Sequence, residues 1–219
     1  MIKDLFQDHV PNLPERQSLG PGAVLLRQQW QTTAEQLVKD INALTVEHPF
    51  RHMVTRRGHA MSVATSCCGD YGWVSDSVRG YRYAALDPKT ERPWPPIPAH
   101  WLTLAAALAH DAGYDGFTPD SALINRYAVG TRMGLHQDHD ESTLDWPIVS
   151  LSLGLSAHFM FGGLTRQAPV TDVPLLHGDV VVWGGVDRLR FHGIRPLKEG
   201  YHPLTGSYRY NLTFRRVSP

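Results

Sequence analysis

The chain has 219 residues, 42% of them hydrophobic and 19% charged, which suffices for one domain with a buried core and is typical of a globular protein. Its 21 lysines and arginines equal its 21 aspartates and glutamates, so the net charge does not draw the chain to nucleic acid, and any such binding needs a local basic surface. The N-terminal residues lack the apolar core of a secretory signal and no run approaches the ~18 apolar residues of a membrane span, so we expect a cytoplasmic protein without a membrane anchor.

The first 50 residues predict an irregular lead-in followed by one helix. Residues 1–22 are rich in proline, glycine and charge. A helix should then begin at Thr32 or Thr33, with a glutamate or glutamine at the capping-box position, and end before Pro49. Its apolar stripe at helical spacing comprises Leu37, Val38, Ile41 and Leu44.

Residues 51–96 mix arginine, glycine and aromatic residues without a helical period. Short strands joined by flexible turns fit this segment best, and we expect it to form an exposed addition to the domain more than part of its core. The segment 51–100 carries seven arginines and lysines against four acids, so a local positive surface would lie here. The two cysteines, Cys67 and Cys68, are adjacent and cannot cross-link distant loops, which indicates a reducing compartment and argues against a thiolate metal site.

The remainder of the chain predicts a second helix and then a set of strands. After the proline cluster RPWPPIP, a helix should run from about Ala99 to Ala112 and end at Gly113. From residue 120 onward, short β-branched or aromatic runs of period two are separated by glycine and proline, which is typical of a sandwich or a jelly-roll barrel. The predicted fold class is mainly β with flanking helices (α+β).

The stretch GLHQDHDE, residues 134–141, gathers metal-seeking side chains. In an extended strand, His136, Asp138 and Asp140 would point to one face, because side chains two apart share a face. Taken alone, a histidine and an aspartate at this spacing are more often part of a solvated turn. His192, after the strand-like run DVVVWGG, could supply a third ligand from a returning strand. Two histidines and one carboxylate form the facial triad of non-haem Fe(II) oxygenases.

The run RYNLTFR near the C-terminus alternates strictly, which places Arg209, Asn211 and Arg215 on one face. Two arginines on one face of a core strand are costly to bury without anionic partners. An exposed edge strand would avoid that cost; alternatively, the arginines bind the two ends of a small dicarboxylate. Asn125 and Tyr127 in LINRYAVG offer an amide and a phenol to the same ligand. A facial-triad metal beside a dicarboxylate site describes a 2-oxoglutarate-dependent oxygenase.

Five motifs, in this order and spacing, closely resemble the bacterial AlkB family of DNA repair dioxygenases: LINRYAVG, LHQDHDE, FGGLTR, HGDVVVWGG and RYNLTFR. The likeness runs through nearly the whole chain and includes MSVA, GDYGW and GYRY. It implies a single dioxygenase domain over residues 1–219, with a double-stranded β-helix (jelly-roll) core over 118–217 and a flexible nucleotide-recognition lid over 46–95. It also implies Fe(II) as the metal, with 2-oxoglutarate and O2 as co-substrates.

The resemblance further implies a role for each site residue. Fe(II) would be held by His136, Asp138 and His192. 2-Oxoglutarate would be contacted by Asn125, Tyr127, Arg209, Asn211 and Arg215, the first arginine on the distal carboxylate and the last on the carboxylate near iron. The family oxidises methyl groups on bases such as 1-methyladenine and 3-methylcytosine, decarboxylates 2-oxoglutarate to succinate and CO2, and releases formaldehyde.

The same resemblance implies which residues bind the substrate. Their expected chemistry follows from the positive charge that 1-methyladenine and 3-methylcytosine carry near neutral pH. A flipped cationic base should favour an aromatic face and a nearby carboxylate. Trp73 in GDYGW matches the family's stacking residue, with His136 as the opposite wall, and Asp140 matches its acid near the base. Simple core packing is the alternative for Trp73. Tyr81, Arg82 and Tyr83 match residues that contact the phosphates of the lesion strand in the family, and Arg166 matches another substrate contact.

The expected partner is alkylated single- or double-stranded DNA, with RNA as a further candidate, and we expect a monomer. The basic segment MVTRRGH should alter strand preference or affinity. Three other interpretations stay open. One is the same oxygenase chemistry on RNA or protein. A zinc hydrolase would leave Arg209 and Arg215 without a role, and a complete ligand set weighs against a catalytically silent jelly-roll binding module.

Overall fold

The computed structural model describes residues 13–29 and 32–219. The helices are α1 (Ala34–Glu47) and α2 (Ala99–Asp111). The strands are β1 (Arg16–Gly20), β2 (Ala23–Leu26), β3 (Arg51–Val54), β4 (Ala60–Gly69), β5 (Gly72–Asp76), β6 (Gly80–Ala84), β7 (Ser121–Ala128), β8 (Met133–His136), β9 (Ile148–Gly154), β10 (Ala157–Phe161), β11 (Thr171–Leu175), β12 (Val180–Trp183), β13 (His192–Ile194) and β14 (Tyr208–Arg215).

These strands form two packed sheets and a hairpin. The large sheet has the order β1-β2-β12-β9-β14-β7-β4-β3, the small sheet has the order β11-β10-β13-β8, and β5 pairs with β6. Along β12, Val180 and Val182 belong to the apolar cluster that contains the helices, whereas Val181 and Trp183 belong to the cluster that contains the small sheet. Because alternate side chains face opposite sides, the helices cover one face of the large sheet and the small sheet covers the other. This architecture confirms the predicted fold class.

Both helices begin and end close to the predicted positions. Helix α1 follows Thr33, whose side chain makes no capping hydrogen bond, and it ends at Glu47. Helix α2 ends at Asp111, and Gly113 then adopts a φ of +94°, a left-handed conformation that glycine tolerates. Within the described residues, neither helix is long and apolar enough to cross a membrane.

Two expectations about irregular segments are wrong. Residues 1–12 of the predicted lead-in lie outside the described residues, but Arg16–Gly20 forms a strand paired with β2. Strand β4 is not an exposed elaboration, since it pairs with β7 in the large sheet and buries the free thiols of Cys67 and Cys68. The position of β4 in the sheet is set by its pairing with β7. The mixed composition of β4 shows no apolar period, so that pairing could not be inferred from the sequence.

Candidate active site

Three of the predicted ligands meet where two strands pair. His136 ends β8, and His192 begins β13 directly opposite it in register. Asp138 lies between them, with Oδ1 3.6 Å from Nε2 of His136 and Oδ2 3.7 Å from Nε2 of His192. One ligand atom from each residue lies within 4.8 Å of the others, and in residues 13–29 and 32–219 this is the only such group that could hold a metal ion.

A loop, and not the strand, carries Asp138 to the histidines. We expected residues 136–140 to continue as one extended strand, and this is wrong: β8 ends at His136, and Asp138 and Asp140 lie on an irregular segment. Both acids nevertheless line the same cavity as His136. The structure therefore brings together the residues that the spacing indicated, and the loop conformation sets their positions.

Hydrogen bonds orient both imidazoles. Nδ1 of His136 lies 2.9 Å from the carbonyl oxygen of Gly134, and Nδ1 of His192 lies 3.0 Å from that of Arg190. Because a carbonyl oxygen only accepts, each Nδ1 carries the proton and each Nε2 presents a lone pair toward Asp138. Burial, with a further contribution from the charge of His136, lowers the pKa of His192 to about 4, so this ring is neutral at pH 7. Two imidazoles and a carboxylate are a donor set that fits Fe(II).

Strand β14 lies between β7 and β9 in the large sheet, so the exposed-edge alternative for RYNLTFR is wrong. Its alternate tyrosine, leucine and phenylalanine pack on the helix side. The opposite face lines the cavity with Arg209, Asn211, Thr213 and Arg215. Register with β7 places Asn125 opposite Asn211 and Tyr127 opposite Arg209, which brings the predicted co-substrate residues together.

Arg209 is a buried cation that lacks a carboxylate partner within the described part of the chain. The residue is 1% exposed, its Nη2 donates to Oγ of Ser152 at 2.9 Å, and its guanidinium lies 5.0 Å from the centre of the Tyr127 ring. Among the described residues, its Nε and Nη1 have no hydrogen-bond partner. A buried guanidinium is costly unless an anion joins it, so this end of the cavity fits one carboxylate of a dicarboxylic acid.

Arg215 connects the metal-ligand group to Glu141, the last acid of GLHQDHDE, for which the sequence predicts no specific role. Its Nη2 lies 2.5 Å from Oδ2 of Asp138, and its Nε lies 3.2 Å from Oε1 of Glu141. Burial alone would raise the pKa of Asp138, but the charge of Arg215 and then those of the two histidines hold that pKa far below its ordinary value. The side chain of Glu141 is 1% exposed and also pairs with Arg188. Glu141 ends the run GLHQDHDE, whereas Arg188 has no sequence signal beyond being charged near an apolar run.

The other end of the cavity is aromatic and acidic. Trp73 and Tyr81 on the β5–β6 hairpin stack with ring centroids 5.6 Å apart, and Nε1 of Trp73 donates to Oδ2 of Asp140 at 3.1 Å. The cavity has a volume of about 470 Å³, and its lining extends from these rings past His136 to Arg209. That volume lies in the usual range for small-molecule sites.

The remaining predicted substrate residues are not all on this cavity. Tyr83 lines it and donates its hydroxyl to Oε1 of Glu141 at 3.0 Å. Arg166 is exposed and lines the rim. Arg82 lies on the opposite face of the hairpin from its two tyrosine neighbours and pairs with Asp76 at 2.7 Å.

Known oxygenases are similar to this chain in both sequence and structure. The profile described as the 2OG-Fe(II) oxygenase superfamily matches residues 22–215. The alpha-ketoglutarate-dependent dioxygenase AlkB of Escherichia coli (strain K12) is 52% identical over 214 residues, which are 98% of this chain and 97% of that protein. The nucleic acid dioxygenase ALKBH1 of Mus musculus is 32% identical over 99 residues, 45% of this chain and 25% of that protein. The solved structure of OsALKBH1 has a TM-score of 0.81 at 28% identity and covers 92% of this chain and 99% of its own.

These matches extend over both sheets and over all the predicted metal and co-substrate residues. The zinc-hydrolase and silent-binding-module interpretations are therefore wrong, and Fe(II), 2-oxoglutarate and O2 are the metal and co-substrates of the enzyme class. The chain belongs to the 2OG-Fe(II) oxygenase superfamily and, within it, to the AlkB family of alpha-ketoglutarate-dependent dioxygenases.

Proposed function

We propose that this dioxygenase removes methyl groups from alkylated bases in DNA, with 1-methyladenine and 3-methylcytosine as the first substrates to test and RNA as a second nucleic acid. Each turnover would convert 2-oxoglutarate and O2 to succinate and CO2 and release the methyl group as formaldehyde. The observation that carries the proposal is one cavity with a metal-ligand group and an unpaired arginine at one end, and an indole beside a carboxylate at the other. Family membership and the name of the mouse relative support nucleic acid as the substrate class.

In this proposal, His136, Asp138 and His192 hold Fe(II). Both histidines donate Nδ1–H to backbone carbonyls, which keeps their Nε2 lone pairs turned toward the metal position. When bound, Fe(II) with 2-oxoglutarate and O2 supplies the oxidising power for an unactivated methyl C–H bond. The protein's part is to orient the reactants and to limit water, and the side chain of His192 is accordingly only 7% exposed.

The co-substrate lies along β14 and β7. Arg209 takes the distal carboxylate with its unpaired Nε and Nη1, and Arg215 takes the carboxylate near iron with its unpaired Nη1. Asn125 and Asn211 contact the ligand from the paired strands, and the amide of the first donates to Oδ1 of the second at 3.1 Å. Tyr127 lies beside the guanidinium of Arg209 and completes the set.

The flipped base occupies the aromatic end of the cavity. Trp73 stacks on one face of the base and His136 borders the other, and such stacking contributes ~1–3 kcal/mol per base. The carboxylate of Asp140 favours a cationic lesion over a neutral base. Methylation weakens base pairing, so the lower cost of extrusion adds selectivity for damaged bases.

The phosphates of the DNA strand that carries the methylated base contact the rim of the cavity. Tyr81, Tyr83 and Arg166 make these contacts from the cavity side, and Arg82 makes one from the outer face of the hairpin. Arg82 then has to exchange Asp76, its partner at 2.7 Å, for a phosphate. That exchange is inexpensive because ion pairs at the protein surface contribute little to stability.

We further propose that residues 46–95 act as a nucleotide-recognition lid over a catalytic core formed by residues 118–217. The whole chain, 1–219, would act as one domain and as a monomer in the cytoplasm. The hairpin β5–β6, which supplies Trp73 and three of the proposed strand contacts, lies within the lid segment. Deletion of this hairpin should spare 2-oxoglutarate binding and remove oligonucleotide binding.

A demethylation assay on matched substrates tests the proposal. Purified protein with Fe(II), ascorbate and 2-oxoglutarate is given one 1-methyladenine sequence as single-stranded DNA, duplex DNA and RNA, with unmethylated copies as controls. We expect succinate, formaldehyde and restored adenine from the methylated DNA. Robust turnover with Zn(II) in place of Fe(II) would contradict the oxidative mechanism. Turnover of methylated peptides but of no oligonucleotide would make protein the substrate class.

A further inference from the structure

Arg188 is a buried arginine whose three nitrogens all contact one loop. We call residues 137–147, between β8 and β9, the ligand loop; it carries Asp138 and Asp140. Nη1 of Arg188 donates to the carbonyl oxygen of Asp138 at 2.7 Å, and Nε donates to that of Trp146 at 3.1 Å. Nη2 lies 3.1 Å from Oε2 of Glu141. One guanidinium therefore ties the start, the middle and the end of the loop together.

The ligand loop has few regular backbone contacts to hold it. Its residues adopt neither helix nor strand, and its backbone bond to the rest of the described chain runs from the amide of Ser142 to the carbonyl oxygen of Val217, just after β14, at 3.1 Å. An irregular segment of this kind adopts one conformation only when side chains over-determine it. Arg188 is 3% exposed and supplies these contacts in a rigid planar fork, a geometry that lysine cannot reproduce.

Glu141 connects Arg188 to Arg215 and so to the metal-ligand group. Oε1 of Glu141 lies 3.2 Å from Nε of Arg215 and accepts the hydroxyl of Tyr83 at 3.0 Å. Arg215 in turn holds Oδ2 of Asp138. Asp138 is thus fixed from both sides, at its backbone by Arg188 and at its carboxylate by Arg215.

We propose that Arg188 is a positioning residue for the metal site, which acts through the carbonyl oxygen of Asp138 and through Glu141 without touching metal, co-substrate or base. The inference rests on the proposed metal-binding role of Asp138. Arg188 is not among the residues that line the cavity, so its loss would change the site only by moving the loop. Loss of an outer contact to a metal ligand typically weakens metal binding about 10- to 100-fold.

The chain contains a matched control for the loss of a buried arginine. Arg27 is 6% exposed, pairs with Asp179 at 2.5 Å and donates to the carbonyl oxygen of Pro174 at 2.9 Å. None of these three residues lines the cavity. Arg27→Met and Arg188→Met therefore remove similar contacts, and only the second should affect the metal.

The test is titration calorimetry of the metal-free full-length protein with Mn(II) alone. We expect Arg188→Met to raise the dissociation constant about 10- to 100-fold, Arg188→Lys to raise it less because an ammonium can still reach Glu141, and Arg27→Met to leave it within about twofold. Should Arg188→Met fail to fold, Arg188→Lys carries the comparison. Binding by the Arg188 variants within about twofold of the unmodified protein, or an equal loss in Arg27→Met, would overturn the inference.

Failure of the proposed function has a different signature. If the unmodified protein does not bind Mn(II) and does not demethylate, the metal site itself is wrong and the inference falls with it. If the unmodified protein does both and the Arg188 variants bind Mn(II) normally, only the positioning role is wrong.

Discussion

The guanidinium of Arg215 and the carboxylate of Asp138 form a buried ion pair, with Nη2 2.5 Å from Oδ2, where the proposed metal site meets the proposed co-substrate site. Their side chains are 8% and 11% exposed, so solvent screens the attraction only weakly. Nε of the same guanidinium donates to Oδ2 of Asp138 at 3.1 Å and also lies 3.2 Å from Oε1 of Glu141. A change at Asp138 therefore acts on the metal ligands and on the co-substrate arginine together.

Asp138→Ala should reduce turnover at least ~100-fold, because it removes the anionic ligand and shifts Arg215 toward Glu141. Succinate and formaldehyde release measure the loss. Asp172→Ala is the control, since that exposed acid pairs with Arg195 away from the cavity, and it should leave the rate unchanged. Normal activity in Asp138→Ala would show that the ligand assignment is wrong.

Arg209→Met should separate co-substrate binding from folding. We expect the KM for 2-oxoglutarate to rise by the equivalent of ~2–5 kcal/mol, or roughly 30-fold or more, because a buried charged contact is lost. Thermal stability without ligand should be equal or higher, since an unpaired buried guanidinium is replaced by an apolar chain. Arg195→Met, at an exposed ion pair, should change neither quantity. An unchanged KM in Arg209→Met would remove the arginine from the proposed dicarboxylate site.

Trp73→Ala should weaken binding of a methylated oligonucleotide by ~1–3 kcal/mol, because one face of the flipped base loses its stacking partner. The dissociation constant for 2-oxoglutarate should change much less. Fluorescence anisotropy measures the first and calorimetry the second, with Tyr201→Ala at an exposed position outside the cavity as the control. Equal losses for both ligands would indicate that Trp73 supports the cavity wall and does not stack on the base.

The turn between β3 and β4 carries Arg56, Arg57 and His59, all exposed, and Arg56 lies against Gly80 at the start of β6. If this turn contacts phosphates, the double variant Arg56→Ala with Arg57→Ala should lower the slope of log binding constant against log salt by about 1–2. Lys39→Ala, on a helix that covers the far face of the large sheet, removes a charge without that effect. A salt slope that is the same in all three proteins would exclude the turn from the binding surface.

His177 should make stability depend on pH. Its Nδ1 accepts the backbone N–H of Gly154 at 3.0 Å, and burial followed by the charge of His202 lowers the pKa of its ring from 6.5 to about 4. Between these two pH values His177 is protonated in the unfolded chain but not in the folded chain. The free energy of unfolding therefore falls as the pH drops from about 6.5 to 4, and it does not fall further from this cause below pH 4.

His177→Gln should remove part of that pH dependence. Because the ring is partly exposed and solvent screens it, we expect the fall between pH 7 and pH 5 to shrink by only about 1 kcal/mol in the variant. Urea unfolding at the two pH values measures the change. Val78→Gln, at a position that is 84% exposed and does not titrate, should leave the dependence unaltered. If the two variants show the same pH dependence, the ring of His177 does not resist protonation in the fold.

Local patterns in the sequence indicated residues that the structure brings together at the cavity. The strict alternation of RYNLTFR placed Arg209 and Arg215 on one face, and the structure has that face on the cavity. The i, i+2 spacing indicated His136 and Asp138, and the structure brings them together although they do not share a strand. Such patterns are reliable because a strand's two faces and a short loop's reach are set within a few residues.

Only the tertiary structure decided how these residues are held. Arg188 looked like an ordinary charged residue, and Glu141 had no assigned role within GLHQDHDE, until the fold brought them together beside Asp138 and Arg215. Strand β4 looked exposed until its pairing with β7 placed it in the large sheet. Contacts between residues far apart in the chain produce no periodic pattern in the sequence, because they depend on which strands become neighbours. They also depend on desolvation, since a buried charge is costly unless it is paired.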